Sequence, residues 1–106
     1  MSYRFMRLFV FFDLPTETTE DRRHYSQFRR GLIKNGFLMM QESVYCRMLI
    51  TPSAEKAAID AIRRIRPPKG LVQVLTVTEK QFGKMLFLTG ESTSDVLDSD
   101  ERLVIL

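Results

Sequence analysis

The chain has 106 residues but only one cysteine, Cys46, and one histidine, His24. A lone thiol cannot form an intrachain disulfide, and its place in an apolar stretch points to a reducing cytoplasm. One cysteine with one histidine cannot build a zinc site. A Cys–His nucleophile pair is formally open to these two side chains, but isolated residues of this kind are usually structural. No apolar run approaches the roughly 18 residues of a membrane span, so no membrane partner is expected. The opening Met-Ser-Tyr-Arg-Phe-Met-Arg lacks the small-residue cleavage site of a signal peptide.

What is present reads as one globular domain with a modest core: apolar residues make up 44% and charged residues 27%. Net charge is +3, which alone is a weak indication of a nucleic-acid partner. Its distribution says more. Much of the acid lies at the ends of the first helical segment and in the tail, around Asp95, Asp98, Asp100 and Glu101. The middle of the chain is therefore more basic than the total implies.

The stretch that organises the rest is Arg7-Leu8-Phe9-Val10-Phe11-Phe12-Asp13-Leu14-Pro15. Five consecutive bulky residues, aromatic or branched, are too few for an ordinary helix and read as a buried strand. A half-exposed strand would alternate; this one does not, so both faces need cover. Strand periodicity puts Phe9, Phe11 and Asp13 on one face and Leu8, Val10 and Phe12 on the other. Pro15 stops the ladder, leaving the Asp13 carboxylate at the strand's C-terminal rim. Asp13 is thus either a site residue or the opening of an Asp-Leu-Pro turn.

Thr16 to Asn35 is expected to be a helix, capped by Thr16 or Thr18 and stopped by Gly36. Its apolar stripe is Tyr25, Phe28 and Leu32. Arg23, Arg30 and Lys34 cluster on its outer face, with Arg22 and Arg29 beside them. No acid interrupts the five at i,i+4 spacing, which favours phosphate contact over a merely solvated surface. Strands are expected at Phe37–Met40 and Val44–Ile50, joined by a kink or tight connection at Gln41-Glu42-Ser43. Thr51-Pro52 opens a second helix that runs to about Ile65, with Ala54, Ala58, Ala61, Ile62 and Ile65 buried. Arg63, Arg64, Arg66 and Lys69 gather at its end, where the helix dipole favours cations in any case. A strand over Leu71–Thr78 follows, then a short one over Lys84–Leu88.

The order is that of an α+β, ferredoxin-like βαββαβ domain over residues 1–90, with an extra C-terminal strand. An acidic linker and apolar tail occupy 91–106, and Leu103–Leu106 is expected to dock on a partner. Such a sheet carries both helices on one face, yet its first strand is apolar on both. A homodimer through the open face resolves the conflict and sets Asp13 of one copy opposite Asp13 of the other. Two facing carboxylates among arginines suit a hard metal ion and a phosphodiester.

Phe11-Phe12-Asp13, the arginine-rich helix, Gly36 and Gln41-Glu42-Ser43-Val44-Tyr45, in that order, resemble the small CRISPR-associated adaptation proteins. These are endoribonuclease-like, ferredoxin-fold homodimers that partner the CRISPR adaptation integrase. The Phe-Phe-Asp-Leu-Pro stretch and the tail look most like members from type II systems. The resemblance implies a Mg²⁺ (or Mn²⁺) requirement attributed to Asp13, as catalytic and metal-binding residue. It implies nuclease activity on single-stranded RNA or double-stranded DNA, and a bridging role between integrase dimers on spacer DNA. Arg22, Arg23, Arg29, Arg30 and Lys34 are the expected nucleic-acid contacts, and Ser43 and Tyr45 the candidates to support the site. Two departures stand out: Phe12 replaces a frequent Tyr, and Glu42 stands where a basic or neutral residue is common. Glu42 can join a metal site or repel a phosphate. The alternative function is a ferredoxin-like regulatory or ligand-binding module, for which the sequence offers no pocket signature.

Overall fold

In a computed structural model, which describes residues 5–90, the apolar run becomes the central strand β1, Met6–Asp13. It is flanked by β3, Val44–Leu49, and β4, Leu71–Thr78, with β2, Leu38–Gln41, outside β3. All neighbours are antiparallel, in the order β2-β3-β1-β4. Two longer helices, α1 (Thr19–Lys34) and α2 (Pro52–Ile65), complete the expected ferredoxin-like arrangement. No described helix is long and apolar enough to cross a membrane. The expected linker and tail at 91–106 lie outside the described residues.

Leu8, Val10 and Phe12 face the helices and are buried with Phe28 and Leu32 of α1, Ala58 and Ile62 of α2, and Tyr45 and Leu49 of β3. The Phe12 ring meets three others, Phe28 at 5.1 Å, Tyr45 at 5.7 Å and Tyr25 at 5.8 Å between centroids. Each such pair contributes about 0.5–1.5 kcal/mol beyond the area it buries. The departure at position 12 is therefore a core residue, on the opposite face from Asp13.

Helix α1 starts later than its cap-rich approach suggested. Thr18 is the N-cap: its hydroxyl accepts from the Asp21 amide at 2.9 Å, and the Asp21 carboxylate accepts from the Thr18 amide at 3.3 Å. This reciprocal box satisfies two otherwise orphaned donors. Thr16 and Glu17 stay outside the helix, their carbonyls each accepting from Arg22 Nη1 at 3.0 Å. Gly36, at φ +89°, ends the helix turn as expected. Phe37, read as the start of β2, is instead fully buried in the core, and the strand begins one residue later. Thr51 has the extended backbone of an N-cap for α2, but its hydroxyl meets Ser53 at 3.3 Å rather than a helix amide.

The other sheet face carries Arg7, Phe9, Phe11 and Asp13 of β1 beside Cys46, Met48, Leu71 and Leu75. One end of it is covered by a single helical turn, α3 (Glu79–Phe82), which opens with a second capping box between Thr78 and Gln81. Arg7 Nε donates to Glu79 Oε2 at 2.7 Å and Nη2 to Oε1 at 3.2 Å, while its guanidinium lies 4.2 Å above the Phe82 ring. Phe82 in turn packs 5.7 Å from Phe9. Phe9 is consequently only 6% exposed, but Phe11 is 36%, Leu71 53% and Leu75 54% exposed.

This turn corrects the expected strand over Lys84–Leu88, which does not form among the described residues. The Thr78 cap ends β4 and Arg7 draws α3 back over the sheet. The amides of Lys84 and Met85 then bond the Gln81 and Phe82 carbonyls, continuing the turn. The segment that follows has no ladder partner among the described residues, and Leu86 and Leu88 are left exposed.

Two consequences are measurable. Gly70 has φ +96°, and a Cβ there would stand 2.7 Å from both the Asp13 carbonyl oxygen and Leu14 Cδ2. Gly70→Ala should destabilise the domain by about 1–3 kcal/mol through backbone strain and the clash. That is a fall in melting temperature of about 4–8 °C per kcal/mol, and an unchanged melting curve would contradict the contact. The second concerns acid. The Thr18 amide, aided by the Thr18 hydroxyl contact and by Lys69, outweighs burial and holds the Asp21 carboxyl below its usual 3.8. A depressed folded value stabilises above the ordinary value, and this stabilisation fades as pH falls through the lowered one. The melting-temperature gap between wild type and Asp21→Asn should be constant above about pH 5 and shrink below pH 4. A gap independent of pH would show that the charge contributes nothing.

Candidate active site and nucleic-acid interface

Asp13 is the last residue of β1, paired with Leu71, and its side chain is exposed. Beside it opens a cleft of about 600 Å³ built from three parts of the chain. Leu14 and Thr16 continue from β1, Tyr25 and Arg29 come from α1, and Met39, Glu42 and Ser43 from the β2–β3 hairpin. The hairpin is held against the strand end by two bonds. Phe12 N donates to the Ser43 carbonyl at 3.1 Å, and the Tyr25 hydroxyl donates to the Glu42 carbonyl at 3.3 Å. A register shift between Met39 and Gln41 marks the bulge that brings the hairpin tip round.

The cleft is polar and mixed in charge, with two carboxylates (Asp13, Glu42), one guanidinium (Arg29) and the hydroxyls of Thr16, Ser43 and Tyr25. Its donors to a cation are all oxygens, which suits Mg²⁺ or Mn²⁺ rather than a soft metal. Among the described residues no three or more His, Cys, Asp or Glu side chains group into a metal cluster. A hard ion bound through one or two carboxylates, keeping its waters and taking substrate phosphate oxygens, needs no such cluster.

The other candidates divide. Ser43 and Arg29 line the Asp13 cleft. Tyr45 does not: it is fully buried in the core, and its hydroxyl has no hydrogen-bond partner among the described residues. Arg22 braces the Thr16–Glu17 loop. Arg23 lies 3.6 Å from Glu20, an acid three residues back that the i,i+4 reading passed over. Both partners are more than half exposed, so the pair is worth at most about 1 kcal/mol. Arg30 and Lys34 are exposed and make no ion pair among the described residues. Two further residues line the cleft, Thr16, which the sequence offers only as a helix cap, and Tyr25. Helical periodicity places Tyr25 in the buried stripe, whereas its ring packs on Phe12 and its hydroxyl reaches the cleft wall.

Comparison with known proteins agrees with this geometry. A CRISPR-associated endoribonuclease Cas2 of Treponema denticola is 50% identical over 101 residues, covering 95% of this chain and all of the relative. One from Streptococcus mutans serotype c is 46% identical, covering 95% of this chain and 93% of the relative. A crystal structure of Streptococcus pyogenes Cas2 at pH 6.5 superposes with a TM-score of 0.60 at 17% identity, over 78% of this chain and 99% of that one; at this identity it speaks for the fold alone. Residues 6–85 match the sequence profile of the CRISPR associated protein Cas2 family. With so much of the described domain inside that match, and relatives about half identical along nearly the whole chain, this protein belongs to the Cas2 family.

Proposed function

We propose that the protein acts in CRISPR spacer acquisition as a homodimer that binds nucleic acid and bridges integrase dimers on spacer DNA. It also cleaves phosphodiesters in RNA or double-stranded DNA with Mg²⁺ or Mn²⁺. The observation that carries this reading is the placement of Asp13 on the same sheet face as the exposed Phe11, Leu71 and Leu75. A soluble chain does not leave so large an apolar patch uncovered. Covering it with a second copy about a two-fold axis brings the two strand-end carboxylates toward each other. The names of the relatives support nuclease activity, and specify an endoribonuclease.

Asp13 of each copy would hold the ion, which when bound polarises the phosphate and lowers the pKa of an attacking water. The chain's own groups do the positioning. Arg29 sets a permanent positive charge in the cleft for a phosphate oxygen, and Thr16 and Ser43 offer hydroxyl donors. Glu42 adds a second negative charge that favours the cation and disfavours the phosphate. Along α1, Arg30 and Lys34 are the freest to meet a phosphate backbone. Arg22 and Arg23 would first have to give up the contacts described above.

Asp13→Asn keeps the shape and removes the charge. Metal-dependent cleavage by the purified variant should fall to background, with duplex binding retained and spacer acquisition in cells continuing. Cleavage that survives the change and still responds to chelation would place the chemistry elsewhere. Loss of acquisition along with cleavage would make the nuclease, rather than the scaffold, the cellular function.

Dimerisation has its own test. Phe11→Lys with Leu75→Lys puts two charges into the proposed interface and should give a monomer in sedimentation equilibrium at micromolar protein. The wild type should sediment as a dimer. A wild-type monomer would remove the basis for pairing the two Asp13 side chains.

A further inference from the structure

We infer that the Asp13 cleft reads one unpaired base, that the Glu42 carboxylate accepts from its hydrogen-bonding edge, and that guanine is the base preferred. This rests on the nucleic-acid reading above and names the residue that sets specificity within it. An ion with about six oxygen ligands, at about 30 Å³ for each water, takes on the order of 200 Å³. The cleft encloses about 600 Å³, well within the ~300–1,000 Å³ of sites that hold organic ligands. Room for a nucleoside therefore remains beside an ion and its phosphate.

The lining of that space has two characters. Leu14 and Met39 are apolar and Tyr25 adds a ring, and Met39 is 55% exposed although it stands among charged groups. A hydrated ion with a phosphate needs no such wall, whereas an unstacked base has an apolar face to set against it. The polar side is held on a fixed backbone. Tyr25, packed on Phe12, bonds the Glu42 carbonyl, and the Phe12 amide bonds the Ser43 carbonyl. Both ties grip the hairpin tip beside the strand end and leave the Glu42 side chain out of the bonding.

Arg29 and Glu42 carry opposite charges in this one cleft, yet among the described residues neither enters an ion pair. Elsewhere such charges do meet, Arg7 with Glu79 at 2.7 Å and Lys56 with Asp60 at 2.8 Å. Two unmated charges of opposite sign suit a ligand with an anion at one end and N–H donors at the other. A nucleotide is such a ligand. An ionised carboxylate can only accept hydrogen bonds. Guanine offers it two adjacent donors, N1–H and the N2 amino group, for a paired contact. Adenine and cytosine offer one amino group each on that edge. Uracil offers a single N–H between two carbonyls, whose partial charge opposes a carboxylate. Base pairing occupies the same edge, so only an unpaired base can be read in this way.

The test has two arms, both on the full chain. The first is calorimetric binding of guanosine and uridine 5′-monophosphates in the presence of chelator, so that no cleavage intervenes. The second maps cut sites in a mixed-sequence single-stranded RNA with Mg²⁺. Wild type should bind the guanosine nucleotide at least about fivefold more tightly, the lower end of what one bidentate base contact gives. Its cuts should cluster at guanines. Glu42→Gln presents a donor as well as an acceptor, and the preference should shrink to about twofold or less. Glu42 is exposed and bonded only through its backbone, so the variant should fold, which its melting curve checks. Equal affinity for the two nucleotides, binding of neither at millimolar concentration, or a preference that survives Glu42→Gln would each overturn the inference. Cleavage indifferent to base would also overturn it while leaving the nuclease reading intact. A guanosine preference that depends on Glu42, without any RNA cleavage, would uphold it and remove the nuclease reading instead.

Discussion

A central strand that is apolar on both faces can be fully covered on only one of them within this chain. Two helices cover the Leu8, Val10 and Phe12 side, and there the packing is complete. On the other side a single turn, α3, covers one end. The turn is held by the Arg7–Glu79 pair and by the stacking of that guanidinium on Phe82. The pair is partly screened and alone would be worth little. Its position matters more than its strength, because it brings Phe82 over Phe9 and leaves Phe11 bare one step along the strand. The unfinished half of the face ends at Asp13. On the function proposed above, assembly and chemistry would be coupled through the alternation of one strand.

Around that strand end the backbone tolerates little change. Gly70 lies against the Asp13 carbonyl and Leu14. The β2–β3 hairpin is tied to the same place through Phe12 N and Tyr25. Three segments far apart in sequence thus fix the position of one exposed carboxylate, although its own side chain has no bonded partner among the described residues. The supports are thus on the backbone, and the side chain would be left free to meet a ligand on the function proposed above.

Most of the fold was legible because its signals are local. The bounds of β4 follow from a β-rich run between Gly70 and the Thr78 cap, and α2 from Thr51-Pro52 and the proline pair after it. The failures share a different cause. Lys84–Leu88 carries strand composition, but composition cannot say whether an edge within the chain is available to pair with. Four-residue α3 is too short for periodicity to show. Its only local mark was Thr78-Glu79-Lys80-Gln81, the same Thr-x-x pattern that starts α1. In the candidate site, the position of Asp13 at a strand end was readable from a single strand. Thr16 and Tyr25 were not, since their contribution depends on how a loop and a helix flank approach the hairpin. Tyr45 erred the other way: it lies opposite Val10 in the ladder and so faces the helices and the core, while Ser43 sits in the turn before the strand begins.

The charges on α1 show how much a helical face can conceal. Five cations on one helix look like one surface, yet they have three different fates. Arg22 closes a loop and Arg23 lies beside Glu20. Arg29 enters the cleft, while Arg30 and Lys34 remain on the outer surface. A helix only sixteen residues long therefore borders two chemically distinct regions. One is mixed in sign and suited to a cation with a phosphate; the other is almost wholly positive and suited to a polyanion. The cleft's two acids would weaken any duplex that relied on the cleft alone, since each carboxylate offsets a cation that counterion release requires. On the function proposed above, the grip on a polyanion and the metal-binding carboxylate would lie on opposite flanks of the same helix.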